Sequence, residues 1–158
     1  MSGLLFLDID GVLNPWAAAG CPAGYAERRW RRRKAWLSAA HGPALLALAA
    51  RTGLQLVWAT SWGDDANRLV GKAIGLPTLP VVTFAGPHAD TGPDWKFTAV
   101  GRFAYGRPLA WFDDDFELRA GARERFLARR DQPTLLVPVD PASGLTAAHL
   151  DVVAGWRA

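Results

Sequence analysis

The sequence predicts an α/β fold: a mostly parallel five-stranded sheet flanked by helices. Three observations carry this expectation. Five apolar stretches of strand length recur along the chain, at Leu4–Ile9, Leu54–Thr60, Leu79–Phe84, Pro108–Phe112 and Thr134–Val139. None alternates cleanly between apolar and polar residues, which is the pattern of strands covered on both faces in a parallel sheet. Helix-like segments separate the strands, so crossovers join them and the sheet is doubly wound.

Each element has local support. Leu4–Ile9 is an apolar run that breaks into Asp8 and Asp10 and then meets Gly11. Residues 14–42 form a loop or flap, and the span from Ile9 to Leu54 leaves room for little more than that and one helix. That helix, Pro43–Arg51, opens with a proline, whose missing N–H is harmless in a first turn, and stops at Gly53. Asp64–Ile74 is amphipathic and ends at Gly75; Asp64 and Asp65 sit in its first turn, where the helix dipole favours carboxylates. Asp94 is placed to cap a helix running to about Tyr105, with Gly106 and Pro108 as stop signals. Phe116–Arg130, with Asp115 as its cap, and Thr146–Trp156 complete the set.

Bulk properties narrow the class. With 158 residues, half of them apolar, residues 1–158 can build one sizeable core, and no repeat, low-complexity tract or long linker divides them. Charged residues make up 21% of the chain and nearly balance in sign, which excludes a disordered or supercharged protein. A single cysteine, Cys21, excludes an internal disulfide and fits a reducing cytoplasm. The first apolar run meets aspartates within a few residues and has no basic region before it, so neither a signal peptide nor a membrane span is expected.

In open α/β sheets the ligand crevice lies beyond the carboxyl ends of the strands. The first strand ends in Asp8 and Asp10, the second in Thr60 and Ser61, and the fourth in Asp113, Asp114 and Asp115. Lys96 stands near the start of the helix that follows the third strand, where it and the helix N-terminus together would attract an anion. Carboxylates crowded together repel one another and tend to stay protonated unless a cation screens them. Magnesium, a hard ion that prefers oxygen ligands, answers that repulsion. One carboxylate can then attack phosphorus, and a second can protonate the leaving oxygen and later activate water. The lysine, the hydroxyls and the backbone near Gly11 are suited to stabilising the phosphoryl oxygens.

The stretch "LDIDGVLN" resembles the first signature of the haloacid dehalogenase (HAD) superfamily of phosphohydrolases. "VWATSW", Lys96 and "WFDDD" follow in the order of that superfamily's second, third and fourth motifs. "DGVLNP", "WATSWGDDAN" and "RPLAWFDDD" look closest to the small HAD domain of RNA-repair-like (Swiss Army Knife) proteins. The resemblance implies a Rossmann-like HAD domain that carries a short flap instead of a cap domain. It implies Asp8 as nucleophile, Asp10 as general acid/base, and Mg²⁺ held by Asp8, by the backbone carbonyl of Asp10, and by Asp113 or Asp114. Thr60, with Ser61 as the alternative, would bond the phosphoryl group, and Lys96 would bridge nucleophile and phosphate. Capless relatives leave the site open to large substrates or close it by forming homo-oligomers. An aspartate at position 10 also points to the phosphatase branch of the superfamily and away from dehalogenation. A receiver-type signalling domain shares the sheet, but its adjacent acids follow strand one and its phosphoacceptor a middle strand, the reverse of the order here.

The flap carries six cations in seven residues: Arg28, Arg29, Arg31, Arg32, Arg33 and Lys34, interrupted by Trp30. Two readings fit. Cations interleaved with Trp30 and Trp36 can bind a phosphate backbone and stack on bases, which points to a terminal phosphate of RNA, DNA or a nucleotide as substrate. Alternatively the run is a solvated face whose tryptophans pack on the body. The eight tryptophans include Trp16, Trp62 and Trp95 beside the motif loops, where packing and base stacking are both open. His41, His88 and His149 lack metal-ligand spacing and read as surface or helix-end residues. The competing function is a catalytically silent HAD-like module that binds phosphate or nucleic acid.

Overall fold

The computed structural model describes residues 2–86, 92, 94–117 and 120–158. From the N-terminus, β1 (Leu4–Leu7) leads into a hairpin of β2 (Ala26–Trp30) and β3 (Arg33–Leu37), followed by α1 (His41–Thr52) and β4 (Gln55–Trp58). A π-helical turn at Ala66–Gly71 continues into α2 (Lys72–Ile74). Then come α3 (Trp95–Phe103), β5 (Leu109–Asp113), α4 (Ala122–Ala128), β6 (Thr134–Pro138) and α5 (Ala147–Gly155).

The four long-range strands pair in the order β4-β1-β5-β6, all in parallel. Their continuous apolar character follows from burial on both faces. Leu5, Leu7, Trp58 and Phe112 enter a core shared with α1, α5 and β3, whereas Leu4, Phe6, Val57 and Trp111 enter one shared with α3 and α4. Each core has a fully buried tryptophan from the sheet, Trp58 in the first and Trp111 in the second. The Trp111 ring packs against Phe6, Phe97, Phe116 and Phe126. Among the described residues no helix is long and apolar enough to cross a membrane.

The expected fifth strand, Leu79–Phe84, is reduced to a single bridge between Val81 and Trp58. Trp58 N–H donates to Pro80 O at 2.9 Å, and Val82 N–H donates to Trp58 O at 2.8 Å. Pro77 and Pro80 have no N–H to offer a ladder, so the pairing does not extend. Asn67 fixes this segment instead: its side chain donates to Leu79 O and accepts from Leu79 N–H and from Trp58 Nε1.

Three helix ends also differ from expectation. Asp94 precedes α3 but makes no side-chain cap. Its carboxylate instead takes a two-pronged pair from Arg125 of α4, at 2.8 and 2.5 Å, a bidentate fork in which both partners are charged. The helix expected over Phe116–Arg130 begins only at Ala122, after Gly121 in the left-handed region (φ 78°), while residues 118 and 119 lie outside the described set. Asp115 is therefore no helix cap. In the 64–74 segment the helix starts at Ala66, leaving Asp65 at the N-cap position with its side chain turned to Arg33 and Arg68. Thr146 does cap α5, in a reciprocal box with His149. His41 opens α1 and places Nε2 3.0 Å from Leu145 O, while His88 lies outside the described residues.

Gly42 sets how closely α1 approaches the end of α2, because a Cβ there would fall 1.7 Å from Ile74 O. Gly42→Ala should therefore destabilise the protein by about 1–3 kcal/mol, despite alanine's better helix propensity. Chemical denaturation of the two proteins measures the difference.

Candidate active site

The parallel register brings the acids together. Leu7 lies opposite Phe112 on β5 and opposite Trp58 on β4, so the residues just past these strands share one edge. Asp8 follows β1, Asp113 ends β5, and Thr60 lies two residues past β4. After Asp8 the chain winds tightly around one carbonyl: Val12, Leu13 and Asn14 all donate to Ile9 O at 2.9–3.1 Å. Gly11 sits in this turn with φ 86°. A Cβ at Gly11 would lie 2.0 Å from Asp114 Oδ2, so the glycine makes room for that carboxylate as well as for the turn.

Asp8, Asp113 and Asp114 each offer a carboxylate oxygen, and these oxygens lie within 4.8 Å of one another. Lys96, in the first turn of α3, stands between two of them: its Nζ is 2.8 Å from Asp8 Oδ2 and 2.5 Å from Asp113 Oδ2. The Ile9 N–H also donates to Asp8 Oδ1 at 2.7 Å. Burial pushes the Asp8 carboxyl up to about 7; Lys96 pulls it down, and the charge of Asp113 adds to the rise. Burial raises Asp113 as well, against the pull of Lys96. Asp114 is raised by burial and then by the charge of Asp8. Burial disfavours the Lys96 ammonium, yet the attraction of Asp8 and Asp113 outweighs this and holds it above the ordinary lysine value.

This donor set fits a hard divalent cation. Three carboxylates in one place carry more negative charge than one lysine balances. Asp113, only 1% exposed, meets Lys96 through Oδ2 as a close ion pair, and that one ammonium is shared with Asp8.

Asp10 is held by partners of its own. Its Oδ1 accepts from Asn14 Nδ2 at 2.9 Å and its Oδ2 from Trp62 Nε1 at 3.0 Å. Both partners reach the hairpin. Asn14 Oδ1 accepts the Trp36 N–H of β3 at 3.0 Å. Trp62 takes the edge of Trp30 at 6.1 Å and the Arg33 guanidinium over its ring at 4.4 Å. Sequence reasoning missed Asn14 as a site residue, and it left Trp62 undecided between packing and stacking. The spacing of Asn14 four residues after Asp10, in a tight turn, was the available signal for the first. Nothing local signals the second, since Trp62 is far from Asp10 in sequence.

Thr60 is buried, and its Oγ1 accepts the Trp62 N–H at 3.3 Å, whereas Ser61 is exposed. The cationic run divides by role. Arg33 also pairs with Asp65 at 2.9 Å, and Arg29 and Lys34 both reach Glu27. Arg28, Arg31 and Arg32 are exposed and make no ion pair among the described residues; Arg31 and Arg32 form the hairpin turn.

The family model for the HAD domain in Swiss Army Knife RNA repair proteins matches residues 4–150, and the chain belongs to that family. Comparison with curated proteins and with solved structures returns no match.

Removing the cation between two buried acids strands their charges. Lys96→Met should cost the metal-free protein about 3 kcal/mol, seen as a lower urea midpoint. Adding Asp113→Asn to that variant should recover part of the loss.

Proposed function

We propose that this protein is a divalent-metal-dependent phosphohydrolase that forms an aspartyl-phosphate on Asp8. Its proposed substrate is a terminal phosphate of RNA, DNA or a nucleotide. The observation that carries this reading is the convergence of Asp8, Asp113, Asp114 and Lys96 at the carboxyl edge of the sheet. Family membership agrees with phosphohydrolase-type chemistry.

The Asp8 carboxylate attacks phosphorus while the bond from phosphorus to the leaving oxygen breaks. Asp10 delivers a proton to that oxygen, so the alcohol leaves neutral. Asp10 then takes a proton from water, which attacks the phosphorus of the acyl-phosphate, frees inorganic phosphate and restores Asp8. Asn14 and Trp62 each occupy one lone pair of an Asp10 oxygen, and the remaining lone pairs serve these proton transfers. Lys96 binds Asp8 and is assigned to neutralising charge on the transferring phosphoryl group. The Thr60 hydroxyl, with Ser61 beside it at the exposed rim, is assigned to the phosphoryl oxygens. Asp8, the Asp10 backbone carbonyl, Asp113 and Asp114 would hold Mg²⁺, which would supply further charge neutralisation.

Two outcomes test this reading. Phosphate release from an aryl phosphate should require Mg²⁺, stop in EDTA, and fall to background in Asp8→Asn without loss of the fold. A folded wild-type protein with no metal-dependent turnover would favour the silent binding module. Arg31→Gln with Arg32→Gln should weaken phosphorylated oligonucleotides and flatten their salt dependence, yet spare small phosphates. Arg33 is left intact in that variant because it braces Trp62.

A further inference from the structure

A pocket of about 160 Å³ opens between the loop after β1 and strand β3 of the hairpin. Asn14, Trp16, Lys34, Ala35 and Trp36 line it. Trp16 is 59% exposed and Trp36 half-buried, so two indoles face solvent at one small concavity. The core does not account for Trp16, since an indole this exposed gains little from packing. The pocket is also one side chain away from the proposed chemistry. Asn14 forms part of its wall and donates to Asp10 Oδ1, while accepting the backbone N–H of Trp36.

Size, chemistry and charge choose the occupant. Clefts for drug-sized ligands run to roughly 300–1,000 Å³, whereas this one suits a single flat ring system. Indole faces bind such rings by stacking, and every nucleobase presents a π face. The Lys34 ammonium, which also pairs with Glu27, lies 6.0 Å from the Trp36 ring, and Arg31 and Arg32, without an ion pair among the described residues, add positive charge at the hairpin turn. A polyanion carrying flat bases matches both features.

We propose that the Trp16–Trp36 pocket holds the nucleobase of the terminal nucleotide whose phosphate enters the Asp8 centre. The hairpin cations take the phosphates that follow. Asn14 ties the two subsites together, so base occupancy and the orientation of Asp10 share one residue. The assignment of the phosphate to Asp8 rests on the phosphohydrolase reading; the base subsite itself is tested by binding alone.

The probe is a short fluorescein-labelled single-stranded RNA phosphorylated at one end, made with the phosphate at either terminus. Its control lacks only the base of the phosphorylated nucleotide. Fluorescence anisotropy is read in EDTA, which prevents turnover. For at least one terminus, wild-type protein should bind the base-bearing RNA about tenfold more tightly than the abasic control, the order of one stacked base. Trp16→Ala should abolish that preference, with unchanged affinity for the abasic control and an unchanged melting temperature. Trp36→Leu, which keeps the backbone N–H to Asn14, should do the same. Equal wild-type affinity for the two RNAs at both termini, or a preference that survives Trp16→Ala, overturns the proposal. A protein that prefers the base-bearing end but hydrolyses no phosphate keeps this subsite and loses only the phosphohydrolase reading.

Discussion

Lys96 between Asp8 and Asp113 is the interaction on which the architecture of the edge depends. Parallel pairing of β1 with β5 forces two carboxylates side by side at a position almost closed to water. Left alone, one of them would give up its charge. Helix α3 supplies the compensating cation, and its approach is fixed by Phe97 and Val100, which pack into the core beneath Trp111. The Lys96 ammonium also lies 6.0 Å from the Trp111 ring, on the side where that ring's π face adds to its stabilisation. The packing of one core thus holds the charge balance of the site. The balance remains incomplete, with three acids against one lysine, and a deficit of that kind attracts a further cation.

The hairpin is integral to this centre. A basic arm that served only as an electrostatic lure would need no fixed contact with the loop that carries Asp10. Here Asn14 and Trp62 hold the two oxygens of Asp10, and each is in turn held by the hairpin through Trp36, or through Trp30 and Arg33. The alternating geometry of an antiparallel pair makes this division possible. Trp30, Arg33, Ala35 and Leu37 belong to the face that docks on the body, and Arg29, Lys34 and Trp36 to the other. One short sequence therefore braces an acid on one side and presents charge and an aromatic ring on the other. Of the two sequence-level readings of the cationic run, tryptophan packing on the body describes the first face.

Much of this was legible from residues alone. Unbroken apolar runs ending in acids marked the strands and the edge where they stop, because a strand buried on both faces keeps its polar residues at its ends. The pairing of Asp8 with Asp113 and Asp114 was readable for the same reason. The weak fifth strand was less so. Leu79–Phe84 has the hydrophobicity of a strand, but Pro77 and Pro80 leave it too few donors to pair beyond Val81. Asp94 had the chemistry of a cap, and Asp115 the position of one. Their fates depended on Arg125 in one case and on a glycine at position 121 in the other.

The sequence by itself determined the alternation of the parallel strands with helices, the acids at the strand ends and the sign of the hairpin's charge. These follow from local pattern, since burial and backbone pairing constrain each residue through its immediate neighbours. Tertiary structure alone decided which lysine face meets which carboxylate, that Gly11 clears a place for Asp114, and that Trp62 and Asn14 share Asp10. Such contacts join residues tens of positions apart through packing geometry, and no local propensity encodes the distance between two side chains once the chain has closed on itself.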